Sequence, residues 1–243
     1  MGGHMIRVTG MMRVRNEGAW CRAAVASILP VCDRVLILDD HSEDGTPEIC
    51  RSVSDRVRVI PSPFRGLDEA RDKNYLLGEV ESTGADWCMC VDGDEILERT
   101  GPDIIRTQLQ NRMGDCFSLR IVFLWNSPLT VRLDGVYGSF CRPSIFRLHT
   151  GARFPVTGNG GQFHCGSVPA GLRPCSTPAE ARLFHLGYLR RCDRLMKYRW
   201  YNTTDPNNER EDCYRHMVQG DLPEVPADLK LKHAGPLRLE RIR

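Results

Sequence analysis

Short apolar runs and helical patterns alternate along the first hundred residues of the chain. Residues 35–38 and 87–91 are continuous apolar runs, typical of strands that are buried on both faces. Between them, residues 67–81 carry apolar side chains at helical spacing. Thr46, Pro47 and Glu48 combine a capping hydroxyl, a proline at the first helical position and an acid near the positive end of a helix. This alternation predicts an α/β fold with a mostly parallel sheet flanked by helices.

The same patterns place the elements along the whole chain. The predicted strands cover residues 6–14, 35–38, 57–60, 87–91, 117–125, 144–148 and 181–186. The predicted helices cover residues 16–29, 46–52, 67–81, 102–111 and 190–201. Residues 151–178 are dense in Gly, Pro, Ser and Thr, which favours a loop region that could cover a substrate. Past Asp205 the chain is polar and has little periodicity, and residues 1–4 look like a tag remnant.

Composition excludes several classes of protein. The chain has 243 residues, of which 41% are hydrophobic and 26% are charged, as in ordinary soluble globular proteins. A net charge of +2 gives no electrostatic argument for binding nucleic acid. No run approaches the roughly 18 apolar residues of a membrane helix, and no signal peptide is visible. We therefore expect a cytoplasmic protein with no integral membrane segment.

The cysteines raise the question of disulfides or zinc. The chain has 11 cysteines but no pair at the CxxC spacing of many zinc sites. Without a secretory segment, reduced thiols that act as small apolar residues are expected. The least implausible zinc ligands would be His164, Cys165 and Cys175.

Asp92-Gly93-Asp94-Glu95 follows the predicted strand 87–91 and carries the most informative chemistry of the chain. Residues two apart on an extended strand point to the same side, so both aspartates could face one ligand. Oxygen ligands without sulfur or imidazole suit Mg²⁺ or Mn²⁺, which usually also bind substrate phosphates. The alternative is a solvated acidic turn that simply closes the strand.

Two further polar clusters precede this run in the chain. Asp39 and Asp40 follow the strand 35–38, and Arg71 and Lys73 lie on the helix 67–81. In open parallel sheets, ligands bind outside the carboxyl ends of the strands. A carboxylate pair, a pair of cations and a metal-type acidic run at that edge suit a nucleoside diphosphate with its metal ion.

These residues resemble family 2 glycosyltransferases of the GT-A fold. The resemblance rests on Asn16-Glu17 after the first strand, on the stretch from Leu38 to Thr46, on Arg71 and on the Asp92–Glu95 run. It covers about the first hundred residues well, and it returns late in the chain at His185-Leu186-Gly187-Tyr188. The resemblance implies a Rossmann-like GT-A fold. It also implies transfer of a sugar from a nucleotide-diphosphate sugar to an acceptor hydroxyl, with Mg²⁺ or Mn²⁺ as cofactor.

The resemblance also implies roles for particular residues. Asp39 and Asp40 would recognise the base and ribose, with Asp40 accepting from the uracil imide of a UDP-sugar donor. Asp94 would bind the metal ion directly, and Asp92 would meet the ribose or a metal-bound water. His185 would be a late ligand of the metal or diphosphate. The other implied contacts to the nucleotide or its phosphates are Arg13, Asn16, Arg71, Lys73, Arg190, Arg191 and Lys197.

The acceptor side departs from the family pattern. An inverting reaction, which the resemblance implies, needs a general base within hydrogen-bond reach of the acceptor hydroxyl. Many members carry a carboxylate in the segment that faces the acceptor, where this chain reads Gly-Gly-Gln-Phe-His-Cys-Gly at residues 160–166. His164 could serve as the base at neutral pH, with Asp134 as runner-up and Glu180 as a further candidate. The sequence therefore determines neither the identity of the general base nor the inverting outcome.

The resemblance also defines the expected organisation. Residues 5–204 would form the GT-A glycosyltransferase domain, with a nucleotide-donor half at 5–100 and an acceptor half at 101–204. Residues 205–243 would form a polar C-terminal extension. Leu124 to Pro178 would recognise the acceptor.

Other functions were weighed against this one. A sugar-phosphate nucleotidyltransferase needs a glycine-rich phosphate loop after the first strand, whereas residues 11–18 contain a single glycine. A phosphatase of the DxDxT type would need Thr where Ile96 stands. The remaining alternative is a catalytically degenerate GT-A domain that binds a nucleotide sugar, or serves as a scaffold, without turnover. The missing acceptor-side carboxylate keeps that alternative open.

Overall fold

The computed structural model describes residues 5–111, 114–155, 165–174, 180–205, 209–232 and 234–242. Five α-helices are described, at Cys21–Ile28 (α1), Thr46–Arg51 (α2), Glu69–Glu81 (α3), Gly101–Asn111 (α4) and Arg191–Thr204 (α5). The strands are Val8–Val14 (β1), Arg34–Asp39 (β2), Val57–Pro61 (β3), Trp87–Cys90 (β4), Glu95–Leu97 (β5), Cys116–Trp125 (β6), Ser127–Arg132 (β7), Cys141–Arg147 (β8), Arg182–His185 (β9) and Leu239–Arg241 (β10). Short 3-10 helices lie at Gly135–Gly138 and Glu209–Val218.

The chain divides into two compact units. The first comprises Met1–Arg120 with Cys141–Arg182, and the second comprises Ile121–Phe140 with Leu183–Arg243. The donor and acceptor halves expected at residues 5–100 and 101–204 stay a prediction. The strand β6 begins in the first unit and ends in the second.

The first unit contains a mostly parallel sheet with the strand order β6-β8-β4-β1-β2-β3. The four consecutive strands β4, β1, β2 and β3 are parallel to one another. β8 runs antiparallel to both of its neighbours, β4 and β6. β4 is apolar and buried at every residue, and in β2 the buried stretch is apolar up to its last residue, Asp39. The predicted α/β class with a mostly parallel sheet is thus confirmed.

One apolar core of the first unit lies between this sheet and α3. It joins Leu36, Leu38, Leu76, Leu77 and Phe146 with other buried apolar side chains of the same unit. Several of the cysteines are part of it: Cys88, Cys90, Cys116 and Cys165 are buried among apolar neighbours. All the described cysteines are free thiols, as expected.

The second unit has its own sheet and its own apolar cluster. β7 pairs antiparallel with β10 and with the end of β6. The segment after Asp205 contributes Tyr214, Met217, Val218 and Val225 to a buried cluster, against which side chains of α5 pack. The polar appearance of this segment therefore conceals a core of its own.

Two details of the predicted elements are wrong. Thr46 is the first residue of α2 and not its cap; the cap position is Gly45, whose φ of +80° falls in the left-handed region that favours glycine. The short strand β5 was missed: it begins at Glu95, before the helix predicted at residues 102–111, which is present as α4 at Gly101–Asn111. Among the described residues, no helix has the length and apolar content needed to cross a membrane.

Candidate functional site

The site of the first unit lies where β1, β2 and β4 end. β1 lies between β2 and β4, with Val14 opposite Asp39 and Met11 opposite Cys90. Asp39 and Asp40 therefore follow the strand on one side of β1, and Asp92 follows the strand on the other. This is the edge of an open parallel sheet at which ligands bind.

Asp40 is held by a basic side chain from the neighbouring strand. It is 2% exposed, and its Oδ2 accepts from Arg13 Nη2 at 2.7 Å and from Arg15 Nη1 at 3.4 Å. Asp39 is also buried, and its Oδ2 accepts from the Ser42 backbone N–H at 3.3 Å. Asp39 Oδ1 is buried and has no hydrogen-bond partner among the residues that the structure describes. A buried acceptor of this kind is costly unless a donor reaches it, so a ligand N–H or O–H would stabilise this site.

Asp72 connects Arg13 and Arg71, two of the predicted nucleotide contacts. Asp72 was not identified as a site residue from the sequence. It is fully buried at the start of α3, where its Oδ2 accepts from Arg13 Nε at 2.8 Å. Its Oδ1 accepts from Arg71 Nε at 2.9 Å and from Arg71 Nη2 at 2.8 Å. Arg71 also stacks on the Phe64 ring, 4.5 Å from its centroid. The available signal was an acid placed between two predicted cations, but nothing in the local pattern shows that it points inward.

The loop after β2 is tied to the end of β1. The Asn16 backbone N–H donates to Ser42 Oγ at 2.8 Å, and Asn16 Oδ1 accepts from the Glu43 backbone N–H at 2.9 Å. Asn16 itself has a φ of +54° and is exposed. The predicted Asn16 thus shapes the loop that carries Asp39 and Asp40.

Lys73 anchors a different part of the chain. Its Nζ donates to the carbonyls of Cys165 at 2.9 Å and Gly166 at 3.1 Å, and Glu69 lies 3.8 Å away. Burial works to lower the pKa of Lys73, but the nearby Cys90, Glu69 and Asp92 outweigh it and raise that pKa. These contacts give Lys73 a structural role at the start of the segment 165–174. Its predicted help in binding the nucleotide stays a prediction.

The acidic run forms a turn, so the prediction that Asp92 and Asp94 share the face of an extended strand is wrong. β4 ends at Cys90, and Gly93 and Asp94 lie in the turn before β5. The Asp92 side chain is 45% exposed, whereas Asp94 is only 3% exposed as a residue. The two carboxylates still lie close enough for the charge of Asp94 to act on the pKa of Asp92.

Arg142 and Glu95 complete this turn, and the sequence reading gave neither a role. Arg142 Nη1 donates to Asp92 Oδ2 at 2.9 Å, and Arg142 Nη2 donates to Glu95 Oε2 at 2.5 Å. Glu95 is fully buried, and its Oε2 also accepts from the Asp92 backbone N–H at 3.0 Å. Partial burial works to raise the pKa of Asp92, but the Arg142 guanidinium holds it below its ordinary value. Burial raises the pKa of Glu95 to about 7, although Arg142 opposes the shift.

The acidic turn supplies too few ligands to hold Mg²⁺ or Mn²⁺ alone, but it could hold the ion together with the phosphates of a substrate. Among the described residues, no three His, Cys, Asp or Glu side chains come together closely enough to hold a metal ion. Asp92 and Asp94 supply hard carboxylate oxygens from adjacent positions. Mg²⁺ typically takes one or two carboxylates and completes its shell with substrate phosphates and water. The donor set here is of that kind.

Gly93 is required by the close approach of the turn to the end of β1. A Cβ at this position would lie 2.9 Å from Val14 Cγ1 and 3.1 Å from Glu17 Cγ. We expect Gly93→Ala to lower the free energy of unfolding by about 1–3 kcal/mol, because the neighbours must shift. Thermal unfolding measures this effect. Gly78→Ala is the matched control, since a Cβ on this helical residue meets nothing within 4 Å. It should leave stability unchanged or raise it by roughly 0.5–1 kcal/mol; an equal loss in both variants would contradict the steric argument.

Four predicted site residues late in the chain belong to the second unit. The ring of His185 packs against Phe123 and Tyr188, with centroid distances of 5.2 Å and 4.6 Å. Arg190 Nε pairs with Asp193 at 2.7 Å, which raises the pKa of Arg190. Lys197 lies on α5 and is partly buried. Their roles toward metal and phosphate stay predictions. Arg191 pairs with Asp221 at 3.7 Å.

Asp134, the runner-up for the base, is bound within a buried ion pair. Its carboxylate accepts from Arg132 Nε at 3.0 Å and Nη2 at 2.8 Å, and from the Arg238 backbone N–H at 3.0 Å. Arg132 is fully buried and also donates to the carbonyl of His216 and to Gln219. These contacts favour a structural role for Asp134. His164 lies outside the described residues, as does Cys175, and Glu180 is exposed.

We expect Asp134→Asn to lower the free energy of unfolding by about 3 kcal/mol, because it leaves the buried Arg132 without its countercharge. Calorimetric or fluorescence-monitored thermal unfolding reports the loss. Asp228→Asn, at an exposed carboxylate of the same unit, should change stability by no more than about 0.5 kcal/mol. A stable Asp134→Asn variant that has lost glycosyl transfer would instead support its predicted role as the base.

A cavity of about 600 Å³ lies away from these carboxylates. It is lined by residues at the amino ends of β2 and β3, among them Arg34, Asp55 and Val57. The opposite ends of the same strands carry Asp39 and Pro61. The cavity is therefore at the other edge of the sheet, and the chemistry described above does not involve it.

The chain matches known proteins most clearly in its first half. Residues 11–120 match the family model described as glycosyl transferase family 2, and this match confirms the resemblance found in the sequence. All the residues that flank the end of β1 fall within the matched segment except Arg142.

Two longer curated relatives match much of the chain at 26% identity. An uncharacterized protein of Mycobacterium tuberculosis is 26% identical over 216 residues, which cover 83% of this chain and 51% of that protein. An uncharacterized protein of Mycobacterium bovis matches with the same values. The chain thus spans about half the length of the curated relatives it matches.

A solved structure shows the fold that the chain shares. The crystal structure of S. aureus TarS aligns with a TM-score of 0.52 and 13% identity over 93% of this chain and 46% of that chain. At this identity the similarity shows the fold alone. It agrees with the GT-A fold expected from the sequence.

Proposed function

We propose that this chain is a metal-dependent glycosyltransferase that moves a sugar from a nucleotide-diphosphate sugar, with UDP-sugars favoured, to an acceptor hydroxyl. One observation carries the proposal: Asp39 and Asp40 on one side of β1, and Asp92 and Asp94 on the other, flank the same strand end. The family match over residues 11–120 supports the class of reaction.

The first carboxylate pair suits the nucleoside. Arg13 fixes the Asp40 carboxylate, and Asp72 in turn fixes Arg13 and Arg71. An ionised carboxylate only accepts hydrogen bonds, so Asp40 rewards a base that presents an N–H and disfavours one that does not. The imide of uracil presents such a group, which is why UDP is the favoured donor nucleotide.

The second carboxylate pair suits the diphosphate. Asp94 would bind the divalent ion directly, with His185 as a late ligand, and Asp92 would meet the ribose or a metal-bound water. When bound, the ion supplies positive charge to the departing diphosphate. Glu95 and Arg142 hold Asp92 in place through the contacts of the turn. The acceptor hydroxyl must also lose a proton as the new bond forms. His164 is the proposed base on this side, and the inverting outcome is part of the same proposal.

The alternative is a degenerate GT-A domain that binds a nucleotide sugar without turnover. The observation that favours it is the buried ion pair of Asp134 with Arg132, which engages the runner-up base in the fold. In either case a nucleoside diphosphate binds at the end of β1. Binding and turnover must therefore be measured separately.

A panel of nucleoside diphosphates tests the proposal by thermal unfolding, with and without Mn²⁺. We expect UDP to stabilise most, and only fully with Mn²⁺. A ligand present at 100 times its Kd adds about 2.7 kcal/mol, which corresponds to a Tm increase of roughly 5–10 °C for a chain of this size. GDP, ADP and CDP are the matched controls. A UDP-sugar hydrolysis assay follows: binding without any hydrolysis or transfer would favour the degenerate domain, and binding of none of the nucleotides would contradict both readings.

A further inference from the structure

Arg142 binds across the acidic turn. Its two terminal nitrogens reach different carboxylates, Nη1 to Asp92 at 2.9 Å and Nη2 to Glu95 at 2.5 Å. Glu95 closes the turn from the other side by accepting from the Asp92 backbone N–H at 3.0 Å. The guanidinium therefore fixes Asp92 through its side chain while Glu95 fixes it through its backbone.

The position of Arg142 follows from the antiparallel pairing of β8 with β4. Met89 lies opposite Ile145, so the chain before Ile145 runs beside the residues that follow Met89. The Arg142 side chain is only 19% exposed, and Glu95 is 0% exposed. Charges held this deeply are screened little by solvent, and each depends strongly on its partner.

A divalent ion held by Asp94, with Asp92 reaching it through a bound water, would share the Asp92 carboxylate with the guanidinium. The Asp92 side chain remains 45% exposed, so an ion can reach it from the open side while Arg142 stays in place. The two positive charges would then repel each other across one carboxylate. A diphosphate on the same open side would compensate both charges, since its oxygens can bind the ion and accept from a guanidinium.

We propose that Arg142 is a positioning residue that makes metal binding at the acidic turn depend on the donor diphosphate, an inference that rests on the function proposed above. In the nucleotide-free site Arg142 neutralises Asp92 and weakens the binding of a divalent ion. When the diphosphate binds, its negative charge relieves this repulsion, so that ion and nucleotide bind together. Arg142 also holds the turn in the geometry that presents Asp92 to the ion.

Isothermal titration calorimetry of Mn²⁺, with and without saturating UDP, tests the coupling. In the wild type we expect UDP to tighten Mn²⁺ binding at least tenfold. In Arg142→Gln we expect Mn²⁺ alone to bind at least fivefold tighter than in the wild type. The tightening by UDP should be at least threefold smaller than in the wild type, and what remains comes from the phosphate oxygens that bind the ion directly. Arg142→Lys keeps the positive charge and should bind Mn²⁺ alone as weakly as the wild type. Arg147→Gln, which removes a charge from the far end of β8, is the matched control and should leave Mn²⁺ binding unchanged.

Several outcomes would overturn the inference. If Arg142→Gln binds Mn²⁺ no more tightly than the wild type does, Arg142 does not weaken metal binding in the nucleotide-free site. If Arg142→Gln does not fold, the titrations of the wild type still test the inference. A Mn²⁺ affinity of the wild type that UDP does not change would show that ion and diphosphate do not bind cooperatively. Failure of the wild type to bind any nucleoside diphosphate would overturn the proposed function together with the coupling. UDP binding with a Mn²⁺ affinity that Arg142→Gln does not alter would overturn the inference alone.

Discussion

Asp94→Asn is expected to reduce Mn²⁺-dependent turnover of a UDP-sugar at least 100-fold while leaving the protein folded. Asp94 is the predicted direct ligand of the ion, and the amide of Asn lacks the negative charge that holds a hard cation. Loss of the ion removes stabilisation of the departing diphosphate, which is worth several kcal/mol in metal-dependent transfers. Donor hydrolysis measured across Mn²⁺ concentrations gives the effect directly.

The fold should tolerate this change because Asn has the size of Asp and the charge of Asp94 repels the nearby Asp92 and Glu95. Its charge works to raise the pKa values of both Asp92 and Glu95, so its removal relieves repulsion within the turn. Thermal unfolding should therefore show a Tm close to that of the wild type. Asp103→Asn, at an exposed carboxylate of α4, is the control and should keep full activity. Undiminished Mn²⁺-dependent activity in Asp94→Asn would disprove the metal assignment.

The edge of the sheet at which Arg13 and Asp40 meet illustrates what the sequence could predict, although their direct contact was not predicted and the role of Arg13 came from the family resemblance. These residues are 27 positions apart, yet both stand at the ends of apolar runs that read clearly as buried strands. Parallel strands connected through helices bring their carboxyl ends to one edge, so each strand end predicts its neighbours there. The prediction needed only the existence of the strands. It did not depend on their bounds, which differ from the observed ones by at most three residues.

Arg142 illustrates what the sequence could not predict. It reaches Asp92 from β8, an antiparallel strand whose register against β4 is set by packing over the whole sheet and not by a local pattern. The predicted strand began at residue 144, which left Arg142 in a loop. The observed strand begins at Cys141 and includes Pro143. Because proline lowers the strand signal, the pattern ended before the residue that matters.

The buried residues in the segment after Asp205 were not predicted, for a different reason. Tyr214, Met217 and Val218 are buried, but they lie in a 3-10 helix, where the repeat of buried positions follows neither the helical nor the strand period. Val225 lies in an irregular stretch after it. Pattern reading depends on such periods, so a polar segment with a few aperiodic apolar residues is read as exposed.

Asp40→Ala is expected to weaken UDP binding 10- to 100-fold while changing the affinity for pyrophosphate less than threefold. A hydrogen bond to a charged group is worth about 1.5–3 kcal/mol, which corresponds to this loss. Pyrophosphate carries no base, so it does not use the Asp40 carboxylate. Arg13 keeps its bond to Asp72 at 2.8 Å in this variant, which preserves the other half of the network. Calorimetric titration of both ligands in the presence of Mg²⁺ measures the difference.

Two companion variants separate recognition of the base from simple damage to the network. Arg15→Ala removes the exposed partner that lies 3.4 Å from Asp40 and should leave UDP affinity within threefold of the wild type. Asp40→Asn keeps the size of the side chain and an oxygen that can accept from Arg13, but its NH2 group cannot accept from the uracil N–H. It should therefore lose most of the UDP affinity that Asp40→Ala loses. An equal loss for UDP and pyrophosphate in Asp40→Ala would refute recognition of the base. Asp40 would then act through the phosphates or the fold, and the preference for UDP would need another source, with Asp39 the nearest candidate.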